Sequence, residues 1–89
     1  MEIRFSVIIP AYNEEKFLPR LLKSIEIARH NFQNGEIEVI VADNGSTDST
    51  KEIAEKFGCR IATVEKRCIA AVRNGGAKIA KGEFFCFID

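Results

Sequence analysis

Tryptophan is absent from the sequence, and tyrosine and histidine occur once each, as Tyr12 and His30. A lone histidine with three cysteines, Cys59, Cys68 and Cys86, none of them in a CxxC pair, leaves no ligand set of the zinc-finger kind. The odd number of thiols also excludes a fully paired disulfide framework and fits a reducing, cytoplasmic setting. Two of the three lie in apolar stretches, where small buried side chains are expected. Neither GxGxxG nor GxxxxGK[ST] follows the first apolar run, which excludes the dinucleotide and P-loop ways of holding phosphate. No apolar run approaches the ~20 residues of a membrane span, and Met1 leads into a strand pattern without a basic or apolar leader. Net charge is missing too. Thirteen basic residues balance thirteen acidic ones, so there is no electrostatic footprint for nucleic acid or an anionic membrane.

What is present is a globular composition, 46% hydrophobic and 29% charged, in a chain of 89 residues. That length is below the usual size of an enzyme domain, and the chain is expected to be part of a longer one. "RFSVIIP", Arg4 to Pro10, is a short β-branched run suited to a strand covered on both faces. Leu18, Leu21, Leu22, Ile25 and Ala28 recur at helical spacing, and Pro19 belongs in the first turn of that helix. "IEVIVAD", Ile37 to Asp43, is a second buried strand, and Ser49 with Glu52 has the spacing of a capping box for a short helix ending at Gly58. "CRIATVE" reads as a third strand, Cys68 to Lys81 as a third helix containing Gly75 and Gly76, and "EFFCFID" as a fourth strand. Strands alternating with helices predict a Rossmann-like α/β fold: a parallel sheet with helices on both faces, strand one central and strands two and four beside it.

In such sheets ligands bind beyond the carboxyl ends of the strands, where strand order reverses. "PAYNEE" after strand one, "DNGSTD" after strand two and Asp89 after strand four all fall at such ends. Tyr12 offers a flat face for a base, Glu14 and Asp43 accept hydrogen bonds from base or ribose, and Asn44 both donates and accepts. Asp89 can join a divalent metal that neutralises a diphosphate. Glu15 is read as a solvated carboxylate at the helix start, Asn13 as a turn residue, and the two glycines as a point of close helix packing.

"VIIPAYNEE", "VADNGSTDST", "AVRNGGAKIAKGEF" and the terminal "FID" together resemble the nucleotide-binding half of the inverting glycosyltransferases of family 2, which have the GT-A fold. The resemblance covers almost the whole chain. It implies that Pro10, Ala11, Tyr12 and Glu14 surround the nucleoside, that Asp43 lies in the same pocket, and that Arg73 and Asn74 approach the nucleotide and donor sugar. Asp89 matches the first Asp of the D-x-D motif, which meets ribose and a divalent ion, Mg²⁺ or Mn²⁺. Where many members carry a second Asp, this chain has Asn44. The implied reaction is a single displacement with inversion, using a UDP- or GDP-type sugar, in which a base beyond residue 89 deprotonates the acceptor while the metal stabilises the leaving diphosphate.

Because the sequence stops at Asp89, the chain is expected to bind nucleotide but transfer nothing, and to self-associate through uncovered apolar surface. Any membrane attachment is assigned to a missing C-terminal part. The competing reading is a non-catalytic α/β nucleotide-binding or regulatory module. A receiver would carry a phosphorylatable Asp after strand three, where this chain has "TVEKR". A sugar nucleotidyltransferase would carry a glycine-rich basic loop where it has "PAYNEE".

Overall fold

Every residue of the second apolar run except its polar Glu38 is hydrophobic up to Asp43, as a strand buried on both faces requires, and in the computed structural model, which describes residues 2–33 and 35–88, that run lies inside a four-stranded sheet. The elements are β1 (Ile3–Ala11), α1 (Leu18–Asn31), β2 (Glu36–Asp43), α2 (Thr50–Lys56), β3 (Arg60–Thr63), α3 (Ile69–Ile79) and β4 (Phe84–Phe87). The strand order is β3-β2-β1-β4 with every pairing parallel, so β1 is flanked by β2 and β4 as the sequence pattern predicts. Strand order reverses at β1, which places the ligand-binding crevice at its carboxyl end.

Alternate residues of β1 and β2 face opposite layers. Ile9, Ala11, Val39 and Val41 pack with Leu18, Leu22 and Ala54 of α1 and α2. Ile8, Ile40, Ala42 and Ala62 pack with Val72 of α3 on the other side. The α3 layer lies close: a Cβ on Gly76 would come within 2.5 Å of Ile8 Cγ2, and one on Gly75 within 2.3 Å of Val64 Cγ2. These glycines therefore serve packing, as expected.

Pro19 sits in the first turn of α1, where its missing N–H costs no helical bond. The capping box at α2 does not form. The Ser49 side chain makes no capping bond, and the Thr50 N–H is held instead by Asp48 Oδ1 at 2.9 Å. Helix α3 ends at Ile79 rather than Lys81 because the next amides are drawn elsewhere: Lys81 N–H donates to Glu38 Oε2 at 2.6 Å and Gly82 N–H to Ser6 Oγ at 2.8 Å. Ser6 Oγ also donates to Glu38 at 2.6 Å, and Arg60 bridges Glu38 Oε1 at 2.8 Å and the Ile79 carbonyl at 2.6 Å. This polar knot ties the α3–β4 connection to β1, β2 and β3.

Of the cysteines, only Cys59 is partly buried; Cys68 and Cys86 are exposed, contrary to the expectation from their apolar neighbours. Cys68 stands ahead of α3, and Cys86 lies on β4, which has a neighbour on one side only among the described residues. Burial pushes the Cys59 thiol up to about 11, against a smaller opposing pull from Arg29. A disulfide-exchange reagent at pH 8 is therefore expected to label Cys68 and Cys86 rapidly and Cys59 last, read by peptide mass mapping. Cys59 labelling at the same rate as the other two would show that the α1–α2 layer is open.

Candidate functional site

At the carboxyl end of β1 the chain turns at Asn13, whose φ of 51° is a left-handed conformation that asparagine tolerates better than most residues. The turn is clasped to the loop after β2. Asn13 N–H donates to Ser46 Oγ at 2.9 Å, and Asn13 Oδ1 accepts from Thr47 N–H at 2.8 Å. Glu14 N–H donates to Thr50 Oγ1 at 2.8 Å, and Glu15 N–H to Asp48 Oδ2 at 3.3 Å. Glu15 Oε2 in turn accepts from Ser49 N–H at 3.2 Å, so Glu15 is a clasp residue and not simply a solvated carboxylate. Burial acts to raise the Asp48 pKa, but its hydrogen bonds to Thr50 and Glu15 outweigh this and hold it below the usual aspartate value.

The clasped turns and the start of α3 enclose a cavity of about 360 Å³ lined by Pro10, Ala11, Tyr12, Glu14 and Asn44, with Arg67, Cys68, Ile69 and Val72 completing the wall. That volume lies in the range of small-molecule sites. Five of the residues singled out from sequence thus meet here.

Asp43 does not stand on this wall. It is 3% exposed, and its Oδ2 accepts from Ser46 N–H at 3.2 Å, which fixes the turn beneath the cavity. Its other oxygen, Oδ1, is buried without a hydrogen-bond partner. Asn44 is on the wall, but its amide nitrogen is committed, donating to the carbonyls of Val64 at 2.7 Å and Lys66 at 3.1 Å. Those bonds end β3 at Thr63, short of the residues expected.

Arg73 lies at the neighbouring strand end, its guanidinium 5.9 Å from the centre of the Phe87 ring. Asp89 lies outside the described residues. Among the described residues no three acidic, histidine or cysteine side chains gather as a metal cluster. Sequence reasoning missed Arg67, whose guanidinium carbon is 3.9 Å from the centroid of the Tyr12 ring. Only the basic pair Lys66–Arg67 just ahead of α3 hinted at it.

The glycosyl transferase family 2 model matches residues 6–89, from inside β1 to the last residue. The chain belongs to glycosyl transferase family 2. Over 93 residues it is 39% identical to the poly(ribitol-phosphate) beta-N-acetylglucosaminyltransferase TarS of Staphylococcus aureus, covering 98% of this chain and 16% of TarS. Over 83 residues it is 49% identical to the 4,4'-diaponeurosporenoate glycosyltransferase of Staphylococcus haemolyticus, covering 93% of this chain and 19% of that protein. This family 2 chain therefore spans under a fifth of the length of these relatives.

The crystal structure of S. aureus TarS 1-349 in complex with UDP superposes with a TM-score of 0.84 at 39% identity, over 98% of this chain and 27% of that one. Glucosyl-3-phosphoglycerate synthase from Mycobacterium tuberculosis, in complex with Mn²⁺, UDP and glucosyl-3-phosphoglycerate, superposes with a TM-score of 0.81 at 27% identity, over 98% of this chain and 33% of that one. The fold is thus the Rossmann-like GT-A architecture.

Proposed function

We propose that this chain is the nucleotide-diphosphate-sugar-binding part of a longer, inverting glycosyltransferase, and that the cavity at the end of β1 receives the nucleoside. The observation that carries the reading is the meeting of Pro10, Ala11, Tyr12, Glu14 and Asn44 around one small-molecule-sized cavity at the strand-order reversal. It is supported by the UDP and UDP-GlcNAc complexes of TarS, whose fold this chain shares. Tyr12 stacks the base, Glu14 accepts from the nucleoside, and Asp43 holds the turn below. Arg73, beside β4, is the proposed partner for the anionic diphosphate.

The Mn²⁺ in the mycobacterial complex supports a divalent ion, Mg²⁺ or Mn²⁺, with Asp89 as its proposed ligand in this chain. When bound, that ion would neutralise charge on the leaving diphosphate. The acceptor and the catalytic base belong to the remainder of the longer protein, which we place in the cytoplasm or at the cytoplasmic face of a membrane. The 89-residue chain alone is proposed to transfer nothing. It is also proposed to self-associate, since Phe84, Phe85 and Phe87 of β4 are 48%, 47% and 42% exposed.

Calorimetry on the longer protein tests the assignment. UDP or GDP should bind, and Tyr12→Ala should weaken that binding by roughly 1 to 3 kcal/mol, the worth of one base–aromatic stack. Absence of binding by either nucleotide, or an unchanged affinity in Tyr12→Ala, would remove the nucleoside from this cavity.

A further inference from the structure

The face of Tyr12 is covered by the Arg67 guanidinium, 3.9 Å from the ring centroid. Both residues line the same cavity, and both side chains are accessible from solvent. A planar guanidinium lies flat on an aromatic ring and equally well on a nucleobase, because both are π faces. The backbone that carries it is fixed on both sides: Asn44 Nδ2 holds the Val64 and Lys66 carbonyls, and Cys68 N–H closes back onto Lys66 O at 2.9 Å. Arg67 is thus a long, exposed side chain on an anchored stem, able to lift off the ring without moving its loop.

We infer that Tyr12 and Arg67 are the two walls of a slot that takes a base between ring and guanidinium, with Asn44 as the residue that positions the second wall. This deepens the nucleoside reading above and rests on it. Opening the slot gives up one ring–guanidinium contact and gains two, base on ring and base on guanidinium. An arginine that merely competed for the ring would lose its contact and gain none with the base. The slot grips any planar base, so selection among bases falls to groups at the cavity's edge such as Glu14.

The test is titration of the longer protein with UDP, together with displacement of UDP by uridine, which has no phosphate. Arg67→Ala should weaken UDP and uridine by the same factor, about three- to tenfold. Arg67→Lys should lose nearly as much, since an ammonium has no plane to stack. Asn44→Ala should weaken both ligands in the wild-type background and add nothing in the Arg67→Ala background, a non-additivity that a merely structural role would not produce.

Tighter binding in Arg67→Ala would make Arg67 a competitor, and an unchanged affinity a bystander. A loss for UDP with none for uridine would make it a phosphate partner. Any of the three overturns the slot while leaving the nucleoside cavity standing. A wild-type protein that binds neither UDP nor uridine overturns both.

Discussion

Replacing Glu38 by alanine should lower the stability of the fold by roughly 2 to 4 kcal/mol, the cost of leaving two hydrogen-bond donors of the sheet–helix interface unsatisfied. Glu38 is 8% exposed and Ser6 is fully buried. The carboxylate accepts from Ser6 Oγ, Lys81 N–H and Arg60 Nη1; Arg60 keeps the Ile79 carbonyl, so the loss leaves the Ser6 hydroxyl and the Lys81 amide without an acceptor. Arg60→Ala should cost less, about 1 to 2 kcal/mol, because its side chain is 39% exposed and Glu38 keeps its other two bonds. Burial acts to raise the Glu38 pKa. The bonds from Lys81, Ser6 and Arg60, with the guanidinium charge, outweigh it and hold the value below the usual 4.5.

A carboxyl with a depressed folded value contributes stability that is present above 4.5 and lost as pH falls through that lowered value. Urea unfolding should therefore show wild type losing stability on acidification below about pH 4.5, with the Glu38→Ala curve shallower over the same range. Equal stability of Glu38→Ala and wild type at pH 7 would mean that the α3–β4 connection does not depend on this knot. The consequence for function is positional: the knot sets where β4 enters the sheet beside β1, and β4 leads to Asp89.

The strand alternation, the central place of β1 and the convergence of the strand-end turns were all legible, because each follows from local patterns acting through general rules of parallel sheets. The parts that were not legible depend on long-range pairing. Nothing in "IEVIVAD" announces that Glu38 will meet the amide of Lys81 and the hydroxyl of Ser6, and only the returning chain brings them together. Glu15 looks solvated until the loop after β2 delivers the Ser49 amide to it. Asn44 reads from sequence as a group that both donates and accepts, and only the fold shows its amide nitrogen given to the Val64 and Lys66 carbonyls. In each case a residue of correct polarity was placed correctly along the chain, and its partner lay more than 15 positions away in sequence.

Asp43 is where the difference between position and role can be measured. Asp43→Ala should cost roughly 1.5 to 3 kcal/mol of stability, the worth of a hydrogen bond to a charged acceptor, because Oδ2 holds the Ser46 amide and Ser46 Oγ holds Asn13. The turn that carries Tyr12 loosens with it, so UDP affinity should fall in parallel. Asp43→Asn separates the two effects. Its amide oxygen can still accept from Ser46 N–H, and its nitrogen takes the place of Oδ1, which is already buried without a partner; one unsatisfied group replaces another, and the charged one is the costlier. Asp43→Asn should therefore retain most of the stability and bind UDP within about threefold of wild type, as should the exposed control Lys51→Ala. An Asp43→Asn protein that unfolds like wild type yet loses UDP tenfold or more would show that the carboxylate acts on the ligand itself. Oδ1 would then be the acceptor that the nucleotide satisfies, and the cavity would reach one residue deeper than its present wall.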